Sequence, residues 1–594
     1  LYDDAFKLAE STYELSLELG NDIILVDSLI IMAESALPNL DLEKILEIIK
    51  KAEEHLNKIT KLKKTDYKHY KAQILFLKAR YHAMTYVPER VKIAFDLVEQ
   101  ALVIQRKLGI KREIIHSLII IALWHGFDFE IDSGIKSANE ALNLANVTKN
   151  RYLIALSMKT LMLLYSFKGE LNRSLKYAKK SLAIFKEINN TLEQSRVLTQ
   201  IGDKYMRKGE FEESLKYLKQ SLVLYKNLNY PDYKAVLICT LIEVNLALDD
   251  NESAKFYLKQ LKELSEEQPS KWINLILRVS KAINLKQSLR VRDRVKAEQL
   301  FKEIIEEYGD DITVIECFIH LSDLLLIELR FTNDFKVLQE IEYYVQRLIN
   351  ISEKSNSFWI LGETYLLQAK LALIKLDLTE ARHLLTEGQN IAEKHNLTYL
   401  AMRISNEHDE LLKELGNWEN FKQTKASLEE RMKLSRLSEQ MDIMAKKRII
   451  EPRELVNELP VAILIIAEGG FPLFSQSFED EWSFANHLFG GFLTAINSFS
   501  DEIFSEGFDR ASFGKYTILM KSISSFSVCY LFKGKTYPAQ QKMKNFIESI
   551  INEKKILDTF HDFCKTNREI RLDDIPSLKH LIENIFINKP VSLA

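Results

Sequence analysis

Helix breakers are scarce over most of this chain. Its 594 residues include 18 glycines and 10 prolines. Six of the prolines (Pro452, Pro460, Pro472, Pro538, Pro576 and Pro590) fall after residue 450. A long stretch almost free of breakers, followed by a shorter one with more turns, implies two kinds of structure. Cysteine is also sparse. Cys239, Cys317, Cys529 and Cys564 are widely scattered, which excludes a disulfide framework and fits reduced thiols in the cytoplasm. The longest apolar runs, such as Leu118–Trp124 and Val461–Ala467, fall far short of the ~20 residues that span a bilayer. No signal peptide is visible. Charge of one sign is lacking too: the net charge is −3, so no basic field draws nucleic acid. The short run Lys446-Lys447-Arg448 reads as a solvated helix end.

What is present is a repeat. Ala94, Gly134, Ser174, Ser214 and Ala254 follow one another at steps of 40. Seven residues after the first four stand Ala101, Ala141, Ser181 and Ser221, and each is followed by a leucine: Leu102, Leu142, Leu182 and Leu222. A spacing of seven is two helical turns, so both small residues lie on one face, where a neighbouring helix approaches closely. Gly169 and Gly209 end apolar runs just before new ones begin, as helix C-cap glycines do. The pattern predicts the hairpins Arg151–Phe167 with Leu171–Glu187, and Leu192–Arg207 with Phe211–Tyr225. Looser copies at Ile45/Ala52, Ala297/Ile304 and Ala381/Gly388, and a helix over Asp334–Ile349, extend the array to roughly ten hairpins.

The set Ile201-Gly202, Tyr205, Gly209, Phe211, Ser214 and Ser221 resembles a tetratricopeptide repeat (TPR), and the resemblance covers about three quarters of the chain. The period of 40 departs from the family's ~34 and is shared with HEAT-like repeats, but the glycine and aromatic placement favours TPR. The resemblance implies a mainly α protein, a TPR-like α-α superhelix over residues 1–416 whose concave groove holds a protein partner. On that alignment Lys159, Arg196, Asp203, Arg207 and Glu243 face the groove. Residues 417–450, with Leu428, Met432, Leu437, Met441 and Met444 in step, read as one long capping or linker helix.

From residue 451 the pattern changes. Val461–Ile466 is a β-branched run of strand length, Gly469-Gly470 a turn, and Phe471–Phe478 a return strand. An amphipathic stripe follows at Leu488, Phe492, Ile496, Phe499 and Ile503, then strands at Arg510–Phe513, Tyr516–Ile523 and Phe526–Phe532. Helices begin at Pro538 and Pro576. The order makes a small α+β layer over 451–594. That order, with Ala467–Phe474 (AEGGFPLF) on the first hairpin, resembles longin and roadblock-like domains, most of all those joined to TPR arrays in Asgard-type archaea. The resemblance implies docking of a small Ras-like GTPase, or self-association.

The sequence offers no chemistry for catalysis, a cofactor or a metal. It has no GxxxxGK[ST] phosphate loop and no GxGxxG after a strand. His561 and Cys564 make half a metal site without a second pair nearby, and His116 and His125 read as groove or core histidines. The expectation is a non-enzymatic interaction scaffold. An alternative is the sensor portion of a larger signalling ATPase or transcription regulator, with its effector upstream of Leu1. An enzyme would need a pocket of convergent titratable groups.

Overall fold

The computed structural model describes residues 2–413, apart from 38–41, 84–87 and the single positions 61, 227, 289 and 333. In the C-terminal part it describes 458–467, 471–478, 510–513, 516–523, 526–566 and 575–587, with isolated positions 422, 424, 427 and 570. Helix α1 (Tyr2–Glu18) precedes a run of hairpins. The pairs are α2 (Asp22–Ala36) with α3 (Leu42–Lys58), α4 (Lys64–Ala83) with α5 (Pro88–Leu108), and α6 (Lys111–Phe127) with α7 (Ile131–Thr148). Then come α8 (Arg151–Lys168) with α9 (Leu171–Glu187), α10 (Thr191–Arg207) with α11 (Phe211–Tyr225), and α12 (Pro231–Ala247) with α13 (Asn251–Glu267). The last are α14 (Lys271–Lys286) with α15 (Val291–Tyr308) and α16 (Ile315–Thr332) with α17 (Phe335–Ser355). Helices α18 (Phe358–Ile374), α19 (Leu378–Lys394) and α20 (Thr398–Lys413) follow. The chain forms two compact units, Leu1–Gln368 with Asn390–Leu400, and Ala369–Gln389 with Ala401–Ala594.

The first unit is a TPR-like α-α array, and the small residues in step build it. Ala94, Ser174, Ser214 and Ala254 are fully buried, as are Ala101, Ala141, Ser181 and Ser221. In three successive hairpins the small residue of the second helix meets a carbonyl of the first, twelve residues back. Ser174 Oγ donates to Met162 O at 2.7 Å, and Ser214 Oγ donates to Gly202 O at 2.7 Å. At Gly134 the helices are closer still: a Cβ there would stand 2.6 Å from Ala122 O. The connections keep the same beat. Left-handed backbone recurs at Phe129, Gly169, Gly209 and Asp249 between the helices of a pair, and at Gly109, Lys149 and Asn189 between pairs. The first helix of each pair is buried on several sides; α12 hides Ala235, Leu237, Ile238, Leu241, Ile242 and Val244. The second keeps a solvated face, and α13 hides only Ala254, Leu261 and Leu264.

Hairpins that are not neighbours in sequence also touch. Ser357 Oγ donates to Phe167 O at 2.6 Å, an offset of 190 residues. Gly169 lies against Trp359, and Gly209 lies against Tyr399 at the same offset. Phe211 meets Tyr399 edge-on with ring centroids 5.6 Å apart, and Lys354 reaches Asp128 at 3.2 Å. A helical array ordinarily touches only its sequence neighbours, so this row of contacts is a seam between successive turns of the winding.

The second unit holds a five-stranded antiparallel sheet in the order β2-β1-β5-β4-β3, with β1 (Leu459–Ala467), β2 (Pro472–Ser477), β3 (Arg510–Phe513), β4 (Tyr516–Ile523) and β5 (Phe526–Lys533). β1 lies between β2 and β5 and is buried on both faces. Ile463 and Ile465 join Val528, Tyr530 and Phe532 on one side, and Leu464 and Ile466 join Ile518, Met520 and Leu531 on the other. Helix α21 (Thr536–Asn552) packs Phe546 and Ile550 into the first of these layers. It starts two residues before Pro538, a position that tolerates proline because the first turn has no carbonyl to bond. The sequence pattern missed α22 (Lys554–Thr566), which follows α21 after Glu553 and contributes Ile556 and Phe560 to the same core. α23 (Pro576–Ile582) opens at Pro576 as expected and adds Leu578. The helix expected over 417–450 and the stripe from Leu488 to Ile503 lie outside the described residues, as do the Gly469-Gly470 turn and the side chains of His561 and Cys564.

Candidate functional site

Lys159 on α8, Arg196, Asp203 and Arg207 on α10, and Glu243 on α12 all belong to the first helices of their pairs. The structure gathers them into two polar clusters.

The first cluster is built around Glu193. Asn190 caps α10 by accepting the Glu193 amide at 3.0 Å, and this fixes the start of the helix. The Glu193 carboxylate takes Lys159 Nζ at 2.6 Å and Arg196 at 2.8 Å, all three within the packed helices. The Arg196 guanidinium lies 4.0 Å from the centre of the Tyr233 ring on α12, a cation–π stack. Burial, with the like charge of Arg196, brings the Lys159 ammonium down to about 8 against the pull of Glu193. Burial alone would raise the Glu193 carboxyl, but its two cations hold it below the usual range.

The second cluster joins helices distant in sequence. Asp203 pairs with buried Lys204 at 2.9 Å and with Arg207 at 3.2 Å. Arg207 then reaches Glu316 on α16 at 2.7 Å, an offset of 109 residues, and stacks 4.7 Å from the centre of the Trp359 ring on α18. Glu243 has no ion-pair partner among the described residues; the Cys239 thiol donates to it at 3.4 Å. Burial first, then the carboxylates of Glu316 and Asp203, push Glu243 up to about 8. Across Asp203, Glu243 and Glu316 on one side and Lys204 and Arg207 on the other, the cluster is electrically balanced only while Glu243 keeps its proton.

The sequence pointed to one residue in several of these pairs and missed the other. Glu193, Tyr233, Glu316 and Trp359 complete the clusters. The signal for Trp359 was available: Trp359 and Tyr399 are 40 apart, the step that separates Gly169 and Gly209.

Other candidates take different places. His116 is brought down to about 4 by burial and by Arg112 and Arg80, so it is neutral at physiological pH. His125 pairs with Glu130 at 2.8 Å. Cys239, Cys317 and Cys529 are buried free thiols whose pKa burial raises, the opposite of an activated nucleophile. No group of three or more His, Cys, Asp or Glu side chains is placed to hold a metal ion among the described residues. No described helix is long and apolar enough to cross a membrane.

No family model matches the sequence, and no curated protein does. Among solved structures the chain is similar to a Rap protein complexed with competence and sporulation factor, at 14% identity over 66% of this chain and 99% of that one, TM-score 0.42. It is similar to NprR in complex with its cognate peptide NprX, at 17% identity over 59% and 96%, TM-score 0.42. The apo quorum sensor NprR from B. thuringiensis gives 17% identity over 56% and 91%, TM-score 0.39.

Proposed function

We propose that this chain is a non-enzymatic, cytoplasmic protein–protein interaction scaffold whose array binds a protein partner on its inner helices. The observation that supports this most is the second polar cluster. Charged and aromatic side chains from α10, α12, α16 and α18 converge there, half-buried, where a packed core would place apolar ones. A partner's charged side chains would exchange with the internal pairs of Arg196 and Arg207, so affinity depends on replacing existing salt bridges at little net cost. The division at 1–416, 417–450 and 451–594 belongs to the same reading. The C-terminal part is proposed to be a longin/roadblock-like domain of the Asgard-archaeal type that docks a small Ras-like GTPase or a second copy of itself. The antiparallel order β2-β1-β5-β4-β3 with helices on one face supports it. The strand β3 ends the order β2-β1-β5-β4-β3, and an edge strand is where a partner's strand would add to a sheet.

The test uses the full chain. Reversing Arg196 and Arg207 together (R196E/R207E) abolishes binding of the array's partner while leaving any GTPase bound to the C-terminal domain. Equal binding of every partner by the variant refutes the inner-face assignment. Purified small GTPases, loaded with GDP or a GTP analogue, test the second domain; binding in neither state, with the chain monomeric, refutes docking and self-association alike.

A further inference from the structure

We propose that the seam between turns is a clasp that closes the array around its inner face, and that Trp359 couples the clasp to the Arg207 cluster, so that admitting a partner and parting the seam are one event. The coupling rests on the reading of the inner helices as the binding face; the clasp itself does not.

The seam is a repeated structure rather than a chance touch. Two left-handed corners 40 residues apart, at Gly169 and Gly209, meet the first turns of two helices 40 residues apart, at Trp359 and Tyr399. A Cβ on Gly169 would stand 2.8 Å from the Trp359 backbone nitrogen and 3.3 Å from its Cβ. A Cβ on Gly209 would stand 3.3 Å from the Tyr399 ring. Glycine at these corners therefore answers two demands at once, the left-handed φ and the approach of the next turn. Around the first contact the fit is polar and aromatic. Ser357 donates to the Phe167 carbonyl, Phe358 stacks on His395 with ring centroids 3.4 Å apart, and the Lys168 ammonium lies 5.8 Å from the centre of Phe358.

Trp359 belongs to both structures. Its backbone and Cβ rest on Gly169, and its indole carries the Arg207 guanidinium. Arg207 in turn is held by Asp203 and Glu316. A partner that takes over Arg207 or its carboxylates removes the cation from one face of the indole and frees the residue that closes the seam. Conversely, a closed seam holds Trp359 where it favours Arg207 and disfavours the partner. The device has two packed arrangements rather than a continuum, as interdigitated contacts require.

Hydrogen–deuterium exchange on the full-length protein tests this without a partner. Gly169→Val forces a β-branched residue into the left-handed corner and into Trp359. Gly109→Val supplies the control, because Gly109 has φ +72° and nothing within 4 Å of a Cβ. The two share the local conformational penalty, and only the first touches the seam. G169V should speed exchange over residues 355–361 and 396–400 by about tenfold or more, while G109V leaves them unchanged. Trp359→Ala changes no corner and should speed exchange over 165–170 to a similar degree. R207E should reproduce the W359A pattern at 165–170 if the cluster and the seam are coupled. Equal exchange at 355–361 in G169V and G109V, or unchanged exchange at 165–170 in W359A, overturns the clasp. Unchanged exchange in R207E with a clasp that opens in G169V overturns the coupling. Partner binding unaffected by R196E/R207E would instead fail the inner-face reading and leave the clasp standing.

Discussion

Replacing Glu243 with glutamine should change how the array's stability depends on pH. In the folded chain Glu243 keeps its proton up to about 8, because burial and the carboxylates of Glu316 and Asp203 oppose its charge more than Arg207 favours it. In the unfolded chain the same group ionises near the ordinary glutamate value of 4.5. Between these values the folded state binds a proton that the unfolded state does not, so stability falls as pH rises from 4.5 to 8 and is flat beyond. One proton is worth about 1.4 kcal/mol per pH unit, so the accumulated loss at pH 9 is on the order of 5 kcal/mol. Glutamine has the shape of the protonated acid and no charge to lose. Thermal unfolding of the wild type and E243Q, followed from pH 5 to pH 9 by fluorescence from the array, should give curves that coincide at the acid end and diverge steadily to pH 8, with the variant higher. Histidine titrations and global charge effects are common to both proteins and cancel in the difference. Parallel curves across the whole range would show that Glu243 is ionised in the folded protein, and the account of the second cluster would fail.

Two further changes probe the packing beneath the clusters. Gly134→Ala gains about 1 kcal/mol of helix propensity, but its methyl would sit 2.6 Å from a backbone carbonyl that cannot rotate away, an overpacking cost of about 1–3 kcal/mol. Denaturation should therefore show G134A destabilised, and more so than Gly202→Ala, whose new methyl meets the Leu218 side chain at 2.6 Å and the nearest backbone atom, Ser214 O, only at 3.3 Å. Lys159→Met leaves Glu193 with Arg196 as its sole cation. It should cost less than the ~3–5 kcal/mol of a fully orphaned buried charge, and the double variant K159M/E193L should recover stability relative to K159M.

Much of the array was legible because its cause is local and periodic. Ala94, Ser174 and Ala254 had to be small for helices to nest, and each is buried at the predicted interface. The strand β4 stood out because Gly514 and Ser524-Ser525 give turn signals on both sides of it. α22 was missed because it follows α21 after a single residue, with no proline or glycine to announce a new start. The site was half legible. Charged residues on α10 are visible in the sequence, but their partners on α16 and α18 lie more than a hundred residues away. Only the three-dimensional winding brings Glu316 and Trp359 to Arg207. The same holds for the burial that changes the chemistry of Glu243, since a glutamate in a helical pattern looks solvated until its neighbours are known.

The offset of 190 is not a whole number of 40-residue hairpins. For that reason each corner lands on the beginning of a helix rather than on another corner. The long helix α17, which carries 21 residues, lies in the stretch that sets this phase. A homologue that gained or lost one helical turn there would rotate every later residue past the corners, presenting some other side chain to Gly169 and Gly209 without altering either glycine. The length of a single helix is thus a dial that natural variation can turn to make the winding tight, loose or sealed.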